Sequence, residues 1–226
     1  MDRRIYVLLA TLLLAVAGFL SHGSGPKDEK TAVIVNQLEG LDGGGRFIES
    51  ALELLEASGY GVRVFRGEEV TLGLMLEGVW DARIVVLRMH SGVFDGETWL
   101  FTHERYSNRR YVVEQLLGLV NIGQCRGVDY PVFTFSPRFL SEATGFKGVV
   151  ILMGCNTMEL GDLPRVLVEG GCEAVVGFEG PVTIEEADQA TQVLLGRLLE
   201  GLELGDSVEG LGFQVFPAER SHFKLG

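Results

Sequence analysis

From Thr31 onward, short apolar runs alternate with stretches whose apolar residues recur at helical spacing. That alternation predicts strands buried on both faces of a mostly parallel sheet, with helices packed against it. Thr31 to Gln37 reads as the first strand. Gly40 to Gly45 follows as a glycine-rich loop, and Arg46 to Ser58 reads as an amphipathic helix through Phe47, Ala51, Leu54 and Leu55, stopping at Gly59. Gly61 to Phe65 is the second strand, Val70 to Gly78 a weaker helix, and Ala82 to Met89 a third strand that delivers His90 at its carboxyl end. Glu97 to Glu104 belongs to a hairpin, and Asn108 to Asp129 is irregular, with a helix around Tyr111 to Gly118. Gly148 to Met153 is the most apolar strand, followed by a turn at Gly154 to Thr157, a helix at Leu163 to Glu169 and a strand at Ala174 to Phe178. A long helix at Ile184 to Glu200, a short one at Asp206 to Leu211 and a final strand at Phe213 to Phe216 complete the pattern.

Upstream of this pattern stands a segment of different character. Arg3 and Arg4 precede an unbroken apolar run from Ile5 to Leu20, and Ser21 to Lys30 then turns small and charged. That order is expected of a signal peptide or membrane anchor over residues 1–25, an N-terminal hydrophobic helix that leaves a domain at 30–226 extracytoplasmic. Ala15-Val16-Ala17 offers a small-x-small cleavage site. The run is shorter than the roughly 20 residues of a full span, so secretion and anchoring both remain open.

Composition narrows the functions. With 226 residues, 46% hydrophobic and 22% charged, the chain suits one globular domain. A formal net charge of −12 argues against nucleic acid as a partner. Three cysteines leave one over if two pair. Cys125 and Cys172 could form a disulfide in an oxidising compartment or stay as buried thiols. His22, His103 and His222 have no partner at metal-ligand spacing and no Cys-x-x-Cys pair occurs, so neither a metal nor a cofactor is expected. Gly43-Gly44-Gly45 fits neither a dinucleotide fingerprint nor a phosphate loop.

Ligands of open α/β sheets bind beyond the carboxyl ends of the strands, and His90 and Cys155 both stand there. The ends of neighbouring parallel strands lie about 5 Å apart. A cysteine thiol becomes an effective nucleophile when an imidazole takes its proton, and the imidazolium can then protonate a leaving amine. Each residue is flanked by small ones, Ser91-Gly92 and Asn156-Thr157, which leave room for a substrate.

The segment Val149-Val150-Ile151-Leu152-Met153-Gly154-Cys155-Asn156-Thr157 resembles the nucleophile strand of the caspase-like cysteine peptidases. It is most similar to their CHAT-type branch, related to separase. Leu163 to Glu169, Gly170-Gly171, Ala174-Val175-Val176-Gly177 and Pro181-Val182 look like the helix and strand that follow, and Ile84 to His90 looks like the histidine strand. The resemblance extends from Thr31 to about Leu211 and implies a caspase-like three-layer sandwich with a mostly parallel sheet. It also implies a dyad of Cys155 and His90, with an oxyanion hole built from backbone N–H groups at Ser91, Gly92 and Cys155. The family has Gly directly after its histidine, where this chain has Ser91. Family specificity lies in loops that here carry Glu39, Asp42 and Glu179, so an endopeptidase cleaving after Arg or Lys is expected, acting on a peptide or protein. Arg109-Arg110 would offer such an enzyme a self-processing site. The alternative is a catalytically inactive pseudo-peptidase serving as an extracytoplasmic binding module. Oligomeric state is left open.

Overall fold

The computed structural model describes residues 30–41 and 45–225. The apolar run at 5–20 and Asp42 lie outside these residues.

A six-stranded sheet forms the centre, in the order β10-β9-β8-β3-β1-β2. Its strands are β1 (Thr31–Asn36), β2 (Gly61–Arg66), β3 (Ile84–Arg88), β8 (Val149–Leu152), β9 (Ala174–Phe178) and β10 (Phe213–Phe216). All run parallel except β10, which pairs antiparallel with β9. Side chains alternate faces along a strand, and each face has its own core. Ala32, Ile34, Ile84, Val86, Val149 and Ile151 point to one side, where α1 (Arg46–Ala57) and α5 (Ile184–Leu199) cover them. Val33, Val35, Val85, Leu87, Val150 and Leu152 point to the other. There α2 (Leu72–Glu77), α4 (Asp162–Glu169) and a 3-10 turn at Pro137–Glu142 cover them. The result is a three-layer α/β arrangement.

A second sheet extends from this second face: β4 (Ser91–Phe94), β5 (Glu97–Arg105), β7 (Val132–Phe135) and β6 (Val120–Gly123), antiparallel in the order β4-β5-β7-β6. Its Leu100, Phe133 and Phe135 are buried in the core of that face. The hairpin expected around Glu97 to Glu104 is present, with β4 as its other strand. β6 and β7 stand where the pattern predicted irregular chain or nothing. Four-residue strands are too short to show a period, and only the packing of Val132 to Phe135 between β5 and β6 reveals them. The helix expected at Tyr111 to Gly118 narrows to α3 (Val112–Leu116), and the final short helix is α6 (Leu204–Val208). Among the described residues no helix is long and apolar enough to cross a membrane.

Candidate active site

β3 and β8 are hydrogen-bonded neighbours, with Leu87 opposite Leu152. The chain leaves both at the same end, so His90 and Cys155 emerge side by side. Both line one cavity of about 830 Å³, together with Leu41, Arg46, Arg88, Arg126, Gly154, Val182, Glu185 and Asp188.

Gly154 is what lets the two strand ends approach. A Cβ there would collide with the Ser91 hydroxyl and stand 2.7 Å from the Met89 carbonyl oxygen. In the space so kept free, the Ser91 hydroxyl donates to the Cys155 carbonyl at 2.6 Å and ties the two ends together. Asn156 then takes a left-handed turn, φ 60°, and its N–H donates to Gly180. Among the described residues, no hydrogen bond engages the Cys155 N–H.

The ladder of β4 and β5 orients the other amides. Phe101 N–H donates to the His90 carbonyl, and Ser91 and Gly92 lie opposite Leu100 and Trp99. Because bonded and non-bonded pairs alternate in an antiparallel ladder, Gly92 directs its N–H into β5. Ser91 directs its own off the outer edge of β4, which no further strand covers among the described residues.

His90 is held at its main chain and at its ring. Its backbone N–H donates to Gln37 Oε1 at 3.0 Å, and ring Nε2 lies 3.2 Å from the Arg126 carbonyl oxygen. A carbonyl can only accept, so Nε2 carries the proton and Nδ1 is left with its lone pair. Burial pushes the His90 pKa below its ordinary 6.5, the Arg126 carbonyl partly offsets this, and the Arg126 and Arg88 charges add to the lowering. His90 is therefore neutral near pH 7. The Cys155 thiol is seated against Val182, whose N–H donates to Sγ and whose carbonyl accepts from it, each at 3.4 Å. Among the described residues no hydrogen bond joins thiol and imidazole.

Under the cavity lies Arg88, fully buried. Its Nε and Nη2 donate to both oxygens of Asp188 at 2.8 and 2.9 Å, and its Nη1 to Asn36 and the Leu38 carbonyl at 2.8 and 3.2 Å. Two further arginines on the wall, Arg46 and Arg126, make no ion pair among the described residues.

Of the three acids expected to line a specificity pocket, Asp42 lies outside the described residues and the other two stand elsewhere. The Glu39 carboxylate lies against Gly67, just beyond β2, and Glu179 accepts a hydrogen bond from Gln214 of β10. Neither lines the cavity, whose acidic members among the described residues are Glu185 and Asp188. Arg110 of the expected self-processing pair is ion-paired with Glu104. Cys125, Cys155 and Cys172 are all free thiols. Cys172 is buried, which raises its pKa to about 12, and Cys125 lies beside Gln37. Among the described residues no group of His, Cys, Asp or Glu could hold a metal ion.

Gln37, Arg126 and Asp188 belong to the site without any motif to announce them. Arg88 did carry a signal, a charge inside the apolar run Ile84 to Met89.

No family model and no curated protein sequence matches the chain. Among solved structures, it is similar to the separase of the Saccharomyces cerevisiae separase–securin complex, with TM-score 0.46 and 14% identity over 84% of this chain. The chain spans 12% of that separase chain. A flavodoxin of Streptococcus pneumoniae overlays with TM-score 0.28 and 14% identity, over 70% of this chain and 92% of its own. Neither overlay bears on what the chain does.

Proposed function

We propose that the chain is a caspase-like cysteine endopeptidase, in which Cys155 is the nucleophile and His90 the general base and acid. The observation that carries this reading is the meeting of the two side chains in one cavity, at the ends of adjacent parallel strands. In the reaction the Cys155 S–H proton passes to His90 Nδ1 as sulfur attacks the scissile carbonyl. The N–H groups of Ser91 and Cys155 are taken as the donors to the oxyanion, since the Cys155 N–H has no partner among the described residues and the Ser91 N–H points away from β5; Gly92, committed to β5, is left out. The imidazolium then protonates the leaving amine. Water, losing its proton to Nδ1, hydrolyses the thioester and restores the thiol.

Cleavage after Arg or Lys is proposed to rest on Glu185. Asp188 is engaged by Arg88, which leaves Glu185 as the open carboxylate of the wall among the described residues. The unpaired Arg46 and Arg126 make cleavage after Asp or Glu the competing outcome. The apolar run at 5–20 is proposed to export the domain or anchor it outside the cytoplasm.

A second reading, an inactive binding module, is favoured by the seating of the thiol on Val182 rather than on His90. A panel of fluorogenic peptides varied at the residue before the scissile bond separates the two. Turnover that is highest after Arg or Lys and absent from Cys155→Ala supports the peptidase. Highest turnover after Asp or Glu would transfer the specificity to the two arginines, and none by the wild type would favour the binding module.

A further inference from the structure

Gln37 is 2% exposed and stands directly beyond β1. Its own N–H donates to the Arg88 carbonyl at 2.9 Å, which fixes its backbone to the end of β3. Its side chain then reaches two other segments at once. Oε1 accepts from the His90 N–H at 3.0 Å, and Nε2 donates to Cys125 Sγ at 3.5 Å. Cys125 immediately precedes Arg126, whose carbonyl holds the His90 ring. One planar amide thus links the main chain of His90 to the segment that anchors its imidazole.

A glutamine suits this place because it offers an acceptor and a donor on one rigid group. An ionised glutamate has no donor for the sulfur, and methionine has no donor and only a weak acceptor in its thioether. The anchoring segment is also packed from the side: Gly127 has φ +88°, and a Cβ there would stand 2.7 Å from Leu41 of the loop after β1. Loop 37–41 and segment 125–127 therefore form one packed unit over the histidine.

We propose that Gln37 is a positioning residue, which keeps the His90 imidazole in its Nε2–H form by tying its main chain to the Cys125–Arg126 segment. The proposal rests on His90 serving as the general base. Releasing the segment moves the Arg126 carbonyl from Nε2, the ring then samples both tautomers, and Nδ1 carries the proton part of the time. In that form it cannot accept one from Cys155.

Nitrogen-15 NMR of the imidazole reads the tautomer directly, with His90→Gln identifying its resonances. The wild type should show His90 in the Nε2–H form. Gln37→Met and Cys125→Ala should each show a mixture, with kcat down about tenfold, the cost of one lost hydrogen bond. KM should stay within about twofold, and Cys125→Ser, which restores an acceptor, should recover the wild-type tautomer. Cys125→Ala tests the link without disturbing the His90 N–H bond, and so decides the matter if Gln37→Met does not fold. A pure Nε2–H spectrum in Cys125→Ala would overturn the proposal. Because the spectrum needs no substrate, a wild type that cleaves no peptide would overturn the peptidase reading and leave the spectral result to judge Gln37.

Discussion

Replacing Arg88 by methionine removes a fully buried charge from beneath the cavity and leaves its partners behind. Asp188 loses a bidentate pair at 2.8 and 2.9 Å, and Asn36 and the Leu38 carbonyl each lose a donor. Breaking a buried pair on one side costs about 3–5 kcal/mol, because the remaining charge is stranded. The Asp188 side chain keeps 16% exposure, so water can reach it and the lower end, about 3 kcal/mol, is expected. For a domain of this size that is a fall in Tm of roughly 6–12 °C, out of a total stability on the order of 5–15 kcal/mol. Urea unfolding of Arg88→Met, Asp188→Leu and the double variant measures it as a double-mutant cycle. The double variant should recover at least half of the loss, since it strands no charge. A loss below about 1 kcal/mol in Arg88→Met, with an unchanged m-value, would refute the view that this network holds the cavity floor.

Other consequences are more local. His90 must be neutral to take a proton, and its pKa is lowered from 6.5. Peptidase kcat/KM should therefore rise with pH along an acid limb lying below pH 6.5, and a limb above that value would contradict the burial of the ring. Gly154→Ala forces a methyl group against the Ser91 hydroxyl and the Met89 carbonyl. It should cost about 1–3 kcal/mol by overpacking and lower kcat, measured by urea melts and peptide turnover; wild-type values in both would show that the strand ends need not approach so closely. At Gly148, φ +65° combines with a Cβ that would collide with the Arg83 carbonyl. Gly148→Ala should destabilise the fold by more than the 1 kcal/mol or so of an ordinary glycine replacement, and a smaller loss in thermal unfolding would contradict the strain.

The central layer was legible because its inner strands β1, β3, β8 and β9 are short runs of mostly apolar residues bounded by turns and helical patterns. Ala174 to Phe178 and Phe213 to Phe216 form strands with the bounds read from the sequence, and Arg46 to Ala57 is a helix one residue shorter than its pattern. The second sheet was hidden for a physical reason: β4, β6 and β7 have four residues each and are held by pairing rather than by a period of their own. At the site, the placement of His90 and Cys155 followed from strand ends alone. Their surroundings did not. Glu39 and Glu179 sit on loops near the right strands, but the direction of a loop side chain depends on what it meets, here Gly67 and Gln214. Glutamine is mostly a surface residue, and only its bonds to the His90 N–H and Cys125 give Gln37 meaning. The direction of the Ser91 N–H, off the outer edge of β4, is set by the hairpin ladder, whatever its side chain.

Mass spectrometry after reaction with a peptidyl acyloxymethyl ketone bearing arginine next to the reactive carbon tests the nucleophile itself. A single adduct on Cys155 is expected, absent from Cys155→Ala, at least a hundredfold slower in His90→Ala by the usual 10²–10⁴ contribution of a general base, and sparing Cys125 and Cys172. Adducts that fall on Cys125, or that form on Cys155 as fast without His90, would contradict the assignment of these two residues as the catalytic pair.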